Sequence, residues 1–540
     1  MESTTGRPAT LAPKAMVTSP HSLASAAGVD VLRAGGSAID GAIATSAVLA
    51  VVYPHMTSLG GDAFWLIHDG ESGKVRYLNG GGRAAARASV RGIRELGHDE
   101  IPYRGIIPAT VTTPGAVASW TLAHDEYGRL PLDLILSSAI GHARDGFPIT
   151  QRLADILAPV AAEMAQYPAC ADIFLHDGEA PTAKTRLVNG KLAQTLEAIA
   201  GDGWSGFYEG TVGAEMARFS EQNGGLFTGA DLAAQRARWG EPIASTYRDV
   251  TIYNTPAPTQ GFTVLEMLNL LEPMGLRELP MFSPERLHML VQAKQIAFHD
   301  RDQLLADPDF TPVPINDLIS KPYANKRASL MDPARALPWN KVPSYGSLAG
   351  DTVYIAVVDE DGNGVSLIQS IYGFYGSMMV AGDTGVVLQN RGSYFSLDPA
   401  HPNKLEPGKI PLHTLMASIA MRDGRFWGAL GCMGADGQPQ IQLQCYLAMI
   451  DHGLDIQEAV EMPRFLSGRF SLGEVRDTLY MEARFPAETI AALAAQGHMV
   501  ERWDDWNQLA GHAHGIFVDP KTGHRIGGAD PRSDGEAIGF

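Results

Sequence analysis

A stacked α/β sandwich is the fold the sequence predicts, and three observations point to it. Apolar runs at 353–358 and 428–431 lack clean alternation, which marks strands covered on both faces. Strand patterns gather in the first and last portions of the chain. Between them, from about 115 to 330, helical patterns dominate.

In chain order, residues 22–34 have helical apolar spacing and stop at Gly35-Gly36. Ser37 can then cap a second, very apolar helix that ends before Pro54. Its most apolar window, 41–53, is too short to span a bilayer and reads as a buried core helix. Residues 58–82 read as a hairpin turning at 70–73, with glycine-rich corners on both sides. The turn runs NGGLFTGADL (223–232) and TPAPTQGF (255–262) interrupt the helical middle. Residues 325–351 read as irregular chain that ends abruptly on two β-rich runs joined by 359–364. Helices return around 441–495, and the tail closes on short strands over 515–527. No internal repeat is visible.

At 540 residues the chain suits two or three average domains or one large layered unit. Apolar residues at 45% and charged residues at 19% are enough to build a sizeable core. A net charge of −18 argues against a nucleic-acid partner, though not against a locally basic pocket. The three cysteines, Cys170, Cys432 and Cys445, match neither a disulfide framework nor a zinc site. Such a sparse set fits a reducing compartment. No signal-peptide pattern or membrane span is visible, so the expectation is a cytoplasmic protein without a membrane partner.

The glycine-rich stretches 32–41 and 79–83 match neither a phosphate loop nor a dinucleotide fingerprint, and read as helix stops and tight corners. His512, His514, His299 and Asp300 make no ligand spacing and read as surface or supporting residues. Neither a metal nor another cofactor is expected. Cys432 has nothing beside it to lower its pKa and reads as a packed thiol. That leaves Thr352, directly after Asp351 at the end of the irregular run. It can be a plain β-former at a strand start. Alternatively, a cut before it frees an α-amino group of pKa about 7.7–8.0, giving one residue both nucleophile and base.

From residue 16 to 540 the chain resembles the γ-glutamyltranspeptidase family of N-terminal-nucleophile (Ntn) hydrolases. Motifs in the family's order carry the resemblance: SAAGVDVLRAGGSAIDGAIA, LGGDAF, TPGAVASW, ARDGFPIT, GFYEG, NGGLFTGADL, TPAPTQGF and DRDQLLADPDF. After Thr352 come DTVYIAVVDEDGNGVSLIQS, AGDTGVVLQNRG and GADPRSDGEAIGF. The resemblance implies a four-layer αββα sandwich made as a precursor. It implies self-cleavage between Asp351 and Thr352, giving a large subunit 1–351 and a small subunit 352–540. These would form one structural unit, a heterodimer that can pair again as a dimer of heterodimers. Thr352 would be the nucleophile, Ser370 its hydroxyl partner, and Gly434 with Ala435 the oxyanion hole.

The resemblance also locates departures in the pocket. The family's glutamate-binding arginine falls near Val90, with Arg83 and Arg87 close by. Tyr372, Tyr394 and the pair His413-Thr414 stand at the positions of an Asn, an Asp and a Ser-Ser pair. At the NRG corner, Asn390 precedes Arg391, where the family often has a neutral residue. Arg391 can clamp a substrate carboxylate or form a salt bridge that fixes the corner. His413 can be a satisfied core histidine or a substrate contact, and the two tyrosines can simply be pocket walls. The expected substrate is a small carboxylate-bearing amide without an α-amino group. A true γ-glutamyltransferase or glutathione hydrolase is the first alternative, and an uncleaved, non-catalytic binding homologue the second.

Overall fold

The computed structural model describes residues 6–105, 109–338, 351–468 and 478–540. Two seven-stranded antiparallel sheets form its centre. The strands are β1 (Thr10–Ala12), β2 (Met16–Ser19), β3 (Asp62–His68), β4 (Val75–Gly80), β5 (Arg238–Gly240), β6 (Ile243–Tyr247) and β7 (Val250–Asn254). They continue with β8 (Asp351–Val358), β9 (Gly364–Tyr372), β10 (Ser418–Arg422), β11 (Arg425–Cys432), β12 (Ala513–Val518), β13 (Arg525–Ala529) and β14 (Glu536–Gly539). The first sheet runs β14-β2-β8-β9-β3-β4-β5 and the second β1-β13-β12-β11-β10-β7-β6.

Side-chain alternation along the strands builds the layers. Val353, Ile355 and Val357 of β8, with Trp65 and Ile67 of β3, face one core. They meet helices α1 (Ser22–Arg33), α2 (Ala38–Val52), α3 (Ala116–Tyr127) and α4 (Leu132–Asp145) there. The intervening residues Tyr354, Ala356, Val358, Phe64, Leu66 and Ile368 face the other way, onto Leu415, Ala417, Ile419, Ala429 and Ile516. The far side of the second sheet, including Ile252, Ala420, Leu430 and Phe517, packs on α5 (Phe262–Leu271), α6 (Pro284–Leu304) and α8 (Gly437–His452). Helix α7 (Lys321–Ala328) packs on α5. The result is the expected αββα order. Strands covered on both faces need no polar side, which is why 353–358 does not alternate.

The predicted elements of the first portion form as read. Ser37 and Asp40 close a reciprocal capping box on α2, a feature worth about 1 kcal/mol, and every residue of α2 is buried. Among the described residues no helix is long and apolar enough to cross a membrane.

Three expectations need correction. The helical middle also contains β6 and β7, a hairpin that completes the edge of the second sheet. Its residues IASTY and VTIYN are short and half-polar, so helical neighbours on both sides mask them. Secondly, 325–351 is not irregular throughout, because α7 runs to Ala328, while 339–350 lie outside the described residues. Thirdly, a small sheet at Phe465–Ser467, Thr478–Glu482 and Met499–Trp503 interrupts the predicted helical return.

Candidate active site

The apolar layer between the sheets turns polar at one end, and the candidate residues gather there. Strand β8 enters through Asp351 and Thr352, and its register against β9 slips by one between Asp351 and Val353. Asp351 pairs with Tyr372 and Val353 with Gln369, so Ser370 and Ile371 together stand opposite Thr352. Such a bulge re-aims the side chain beside it. On the other side of β9, Ser370 pairs with Asp62 of β3. Thr352 is buried, at 1% exposure, and its Oγ1 accepts from Nε2 of Gln438 at 3.3 Å.

Gln438 comes from the second sheet's side, in the first turn of α8, just after the turn that leads there from β11. Gly434 and Ala435 form that connecting turn with φ of 126° and 45°, and their carbonyls accept from the Gly437 and Gln438 amides. A buried network fixes it. Gln260 Nε2 donates to the carbonyls of Ala435 (2.9 Å) and Thr414 (2.7 Å), and Arg301 donates to Gln260 Oε1 and to both carboxylate oxygens of Asp436. Two motifs are thereby accounted for, TPAPTQGF through Gln260 and DRDQLLADPDF through Arg301. Ala435 is the one residue without glycine's freedom here. Ala435→Gly should therefore stabilise the protein by up to about 1 kcal/mol, and Ala435→Val should destabilise it, as denaturant midpoints would read.

Arg391 lies across the site, fully buried. Nη1 donates to Thr414 Oγ1 at 3.1 Å and Nη2 to Ser370 Oγ at 3.2 Å, while the guanidinium stacks over Tyr372 (4.6 Å) and faces Tyr394 (5.7 Å). Among the described residues Nε has no partner and no ion pair forms to this cation. The salt-bridge reading of Arg391 thus finds no partner among the described residues. Burial lowers its pKa, with Tyr394 and then Asp62 opposing. Ser370 Oγ also accepts from the Tyr372 amide at 2.7 Å. With two bonds accepted, that hydroxyl acts toward a further partner as a donor.

The remaining predicted residues divide. Tyr372 and Tyr394 pack at 4.7 Å as walls, with Tyr103 behind, and Tyr372 holds a positive φ of 77° at the end of β9. Asn390 faces the backbone, accepting from the Gly373 amide and donating to the Tyr103 carbonyl, so it shapes the corner. Arg83 donates to the Gly408 carbonyl, and among the described residues no hydrogen bond links it to Arg391 or Thr352. Arg87 is exposed. Nor is His413 a satisfied core histidine, because neither ring nitrogen has a hydrogen-bond partner among the described residues. His512 and His514, expected as surface or supporting residues, are not at the surface but buried. Cys432 is buried as expected, and burial pushes its thiol pKa up.

Two residues escaped the sequence reading. Asp62 lies inside the LGGDAF motif, and a carboxylate opening so apolar a strand was the available signal. Its glycine neighbours have a packing reason, since a Cβ on Gly61 would strike the Ser370 carbonyl and one on Gly60 the Val387 carbonyl. Gln438 carried no signal beyond its place in GCMGADGQPQ. Its contact with Thr352 predicts that Gln438→Ala lowers kcat about fivefold to tenfold with little change in KM, the worth of one neutral hydrogen bond. Steady-state kinetics check this.

Comparison with known proteins adds to this geometry. The family model described as gamma-glutamyltranspeptidase matches residues 24–540. A glutathione hydrolase-like proenzyme of Bacillus subtilis is 43% identical over 98% of each chain. An oxamate amidohydrolase proenzyme of Klebsiella pneumoniae is 38% identical, covering 97% of this chain and 98% of its own. Among solved structures, the cephalosporin acylase of Bacillus halodurans superposes with a TM-score of 0.92 at 34% identity, covering 100% of this chain and 98% of its own.

Proposed function

The chain belongs to the gamma-glutamyltranspeptidase family, as an amide-hydrolysing enzyme, and from that premise we propose that its substrate is a small carboxylate-bearing amide. An oxamate-like or glutaryl-amide-like compound fits this description. The observation that carries the reading is Arg391, a buried cation beside Ser370 whose partners are two hydroxyls rather than a carboxylate. A buried charge with no carboxylate in direct contact is costly, and a docked substrate carboxylate supplies one. The names of two similar proteins, an oxamate amidohydrolase and a cephalosporin acylase, support the same class.

In this reading the precursor first processes itself. Thr352 Oγ1 attacks the Asp351 carbonyl carbon, the acyl group shifts from nitrogen to oxygen, and water hydrolyses the ester. The products are the 1–351 and 352–540 subunits, held together by the shared sheets. The freed α-amino group then takes the hydroxyl proton as Thr352 attacks the substrate amide. The oxyanion is held by the N–H groups of Gly434 and Ala435, and the amine leaves with a proton. Water resolves the acyl-enzyme. Ser370 donates toward Thr352 Oγ1, and Arg391 holds the carboxylate so that the amide carbonyl meets the nucleophile.

Side-by-side kcat/KM values for glutaryl-p-nitroanilide, oxamate and γ-glutamyl-p-nitroanilide test the proposal. At least one acid-bearing amide without an α-amino group should exceed the γ-glutamyl compound by about tenfold or more. Brisk turnover of the γ-glutamyl compound with the others inert would overturn it.

A further inference from the structure

Behind Arg391 two buried, titratable groups meet without a hydrogen bond. Asp62 Oδ1 accepts from the Gly82 amide at 2.8 Å and from Gln389 Nε2 at 3.0 Å. Among the described residues its Oδ2 has no hydrogen-bond partner, and it lies 3.5 Å from His413 Nε2. The imidazole is edge-on to Phe64 at 4.7 Å, and its backbone is pinned to Pro258 and Gln260. Asp62 stands opposite Ser370 in the sheet, and His413 precedes Thr414, so each adjoins one of the two hydroxyls that hold Arg391.

We propose that Asp62 and His413 form a one-proton pair that takes up a proton when a substrate carboxylate docks on Arg391, making Asp62 a positioning residue that sets affinity for anionic substrates. This rests on the reading of Arg391 as the carboxylate anchor. One proton satisfies both groups, as O–H···N or as O⁻···H–N, and the pair titrates as a unit. Among the described residues the charge that faces it is Arg391, with the phenols of Tyr372, Tyr394 and Tyr103 around that cation and the phenol of Tyr208 also within electrostatic reach of Asp62. After cleavage the α-amino group of Thr352 joins this neighbourhood.

The direction of the coupling follows from Arg391. Burial pushes Asp62 up to about 7, against the pull of Gln389 and Arg391. Burial and Arg391 together hold His413 well below its ordinary value. A substrate carboxylate cancels the field of Arg391 at both residues, so the pair holds its proton more tightly. By linkage an anion binds better to the protonated pair, and its affinity falls as pH rises above about 7, by at most roughly tenfold per unit.

The test uses glutarate as probe on the processed enzyme. Titration calorimetry near pH 7.5, in buffers of different ionisation enthalpy, should show net proton uptake on binding. The inhibition constant of glutarate should rise with pH above about 7. In Asp62→Asn the amide faces His413 Nε2 as the protonated acid would, so uptake should vanish and the inhibition constant should stay at its low-pH value. At pH 8.5 this variant should bind glutarate roughly tenfold tighter than wild type. Zero uptake in wild type overturns the proposal, and so does uptake that persists in Asp62→Asn, which assigns the proton to the Thr352 amine. Failure of the Arg391 reading looks different, because glutarate then inhibits wild type and Arg391→Ala alike. If Asp62→Asn does not process, His413→Gln with the same readouts decides, uptake undiminished from wild type being the overturning result.

Discussion

Thr352→Ala is expected to leave one full-length band on a denaturing gel, where the wild type should give bands near two thirds and one third of the mass. Turnover of any amide should fall by at least about a thousandfold, because the substitution removes both the attacking oxygen and the cut that frees the base. Thr352→Ser keeps a hydroxyl on the same backbone, and it should still process and retain part of kcat. The two variants together separate loss of chemistry from loss of fold. Thr352 packs at the end of the inter-sheet layer and, among the described residues, its side chain takes one hydrogen bond, from Gln438, so alanine there costs little packing. Circular dichroism of Thr352→Ala should match the wild-type precursor. A cleaved Thr352→Ala, or an uncleaved wild type with full activity, would contradict the assignment.

Arg391→Ala has the second-largest expected effect, and it falls on KM. Paired charge-assisted bonds to a carboxylate are worth about 2–3 kcal/mol, which corresponds to a KM rise of roughly 30-fold to 150-fold for an acid-bearing amide. For a neutral amide of the same size KM should hardly change. Arg391→Lys should recover only part of the loss, since a point charge cannot present two parallel donors. The split between substrates is the informative part. A guanidinium that merely braced the corner would disturb acidic and neutral substrates alike, through Thr414 and Ser370. Equal effects on both would therefore remove the clamp role.

Particular residues show what the chain's sequence discloses and where it falls silent. The capped helix after Ser37, the hairpin around 70–73 and the doubly covered strand 353–358 are local patterns, and local physics decides them. The order of motifs around Thr352 and Ser370 reveals the family and the strand pair that carries the candidate nucleophile. Contacts between distant segments are harder to see. Asp62 and His413 are 351 positions apart and meet only because the two sheets stack. Gln438 reaches Thr352 from the opposite side of the sandwich. The β6–β7 hairpin escapes for a different reason. Its outer strand β6 lies at the sheet edge with half-buried side chains, and β7 alternates buried Val250, Ile252 and Asn254 with half-buried Thr251 and Tyr253, so neither has the continuous apolar run of the central strands.

The account's central claim is a covalent acyl group on Thr352, and intact-mass measurement tests it most directly. The processed enzyme, mixed with a glutaryl amide and quenched in acid within one turnover, should show one added glutaryl group on the 352–540 fragment. Peptide mapping should place it on residue 352. Turnover that proceeds with no added mass, or with the acyl group on any other residue, would contradict the claim.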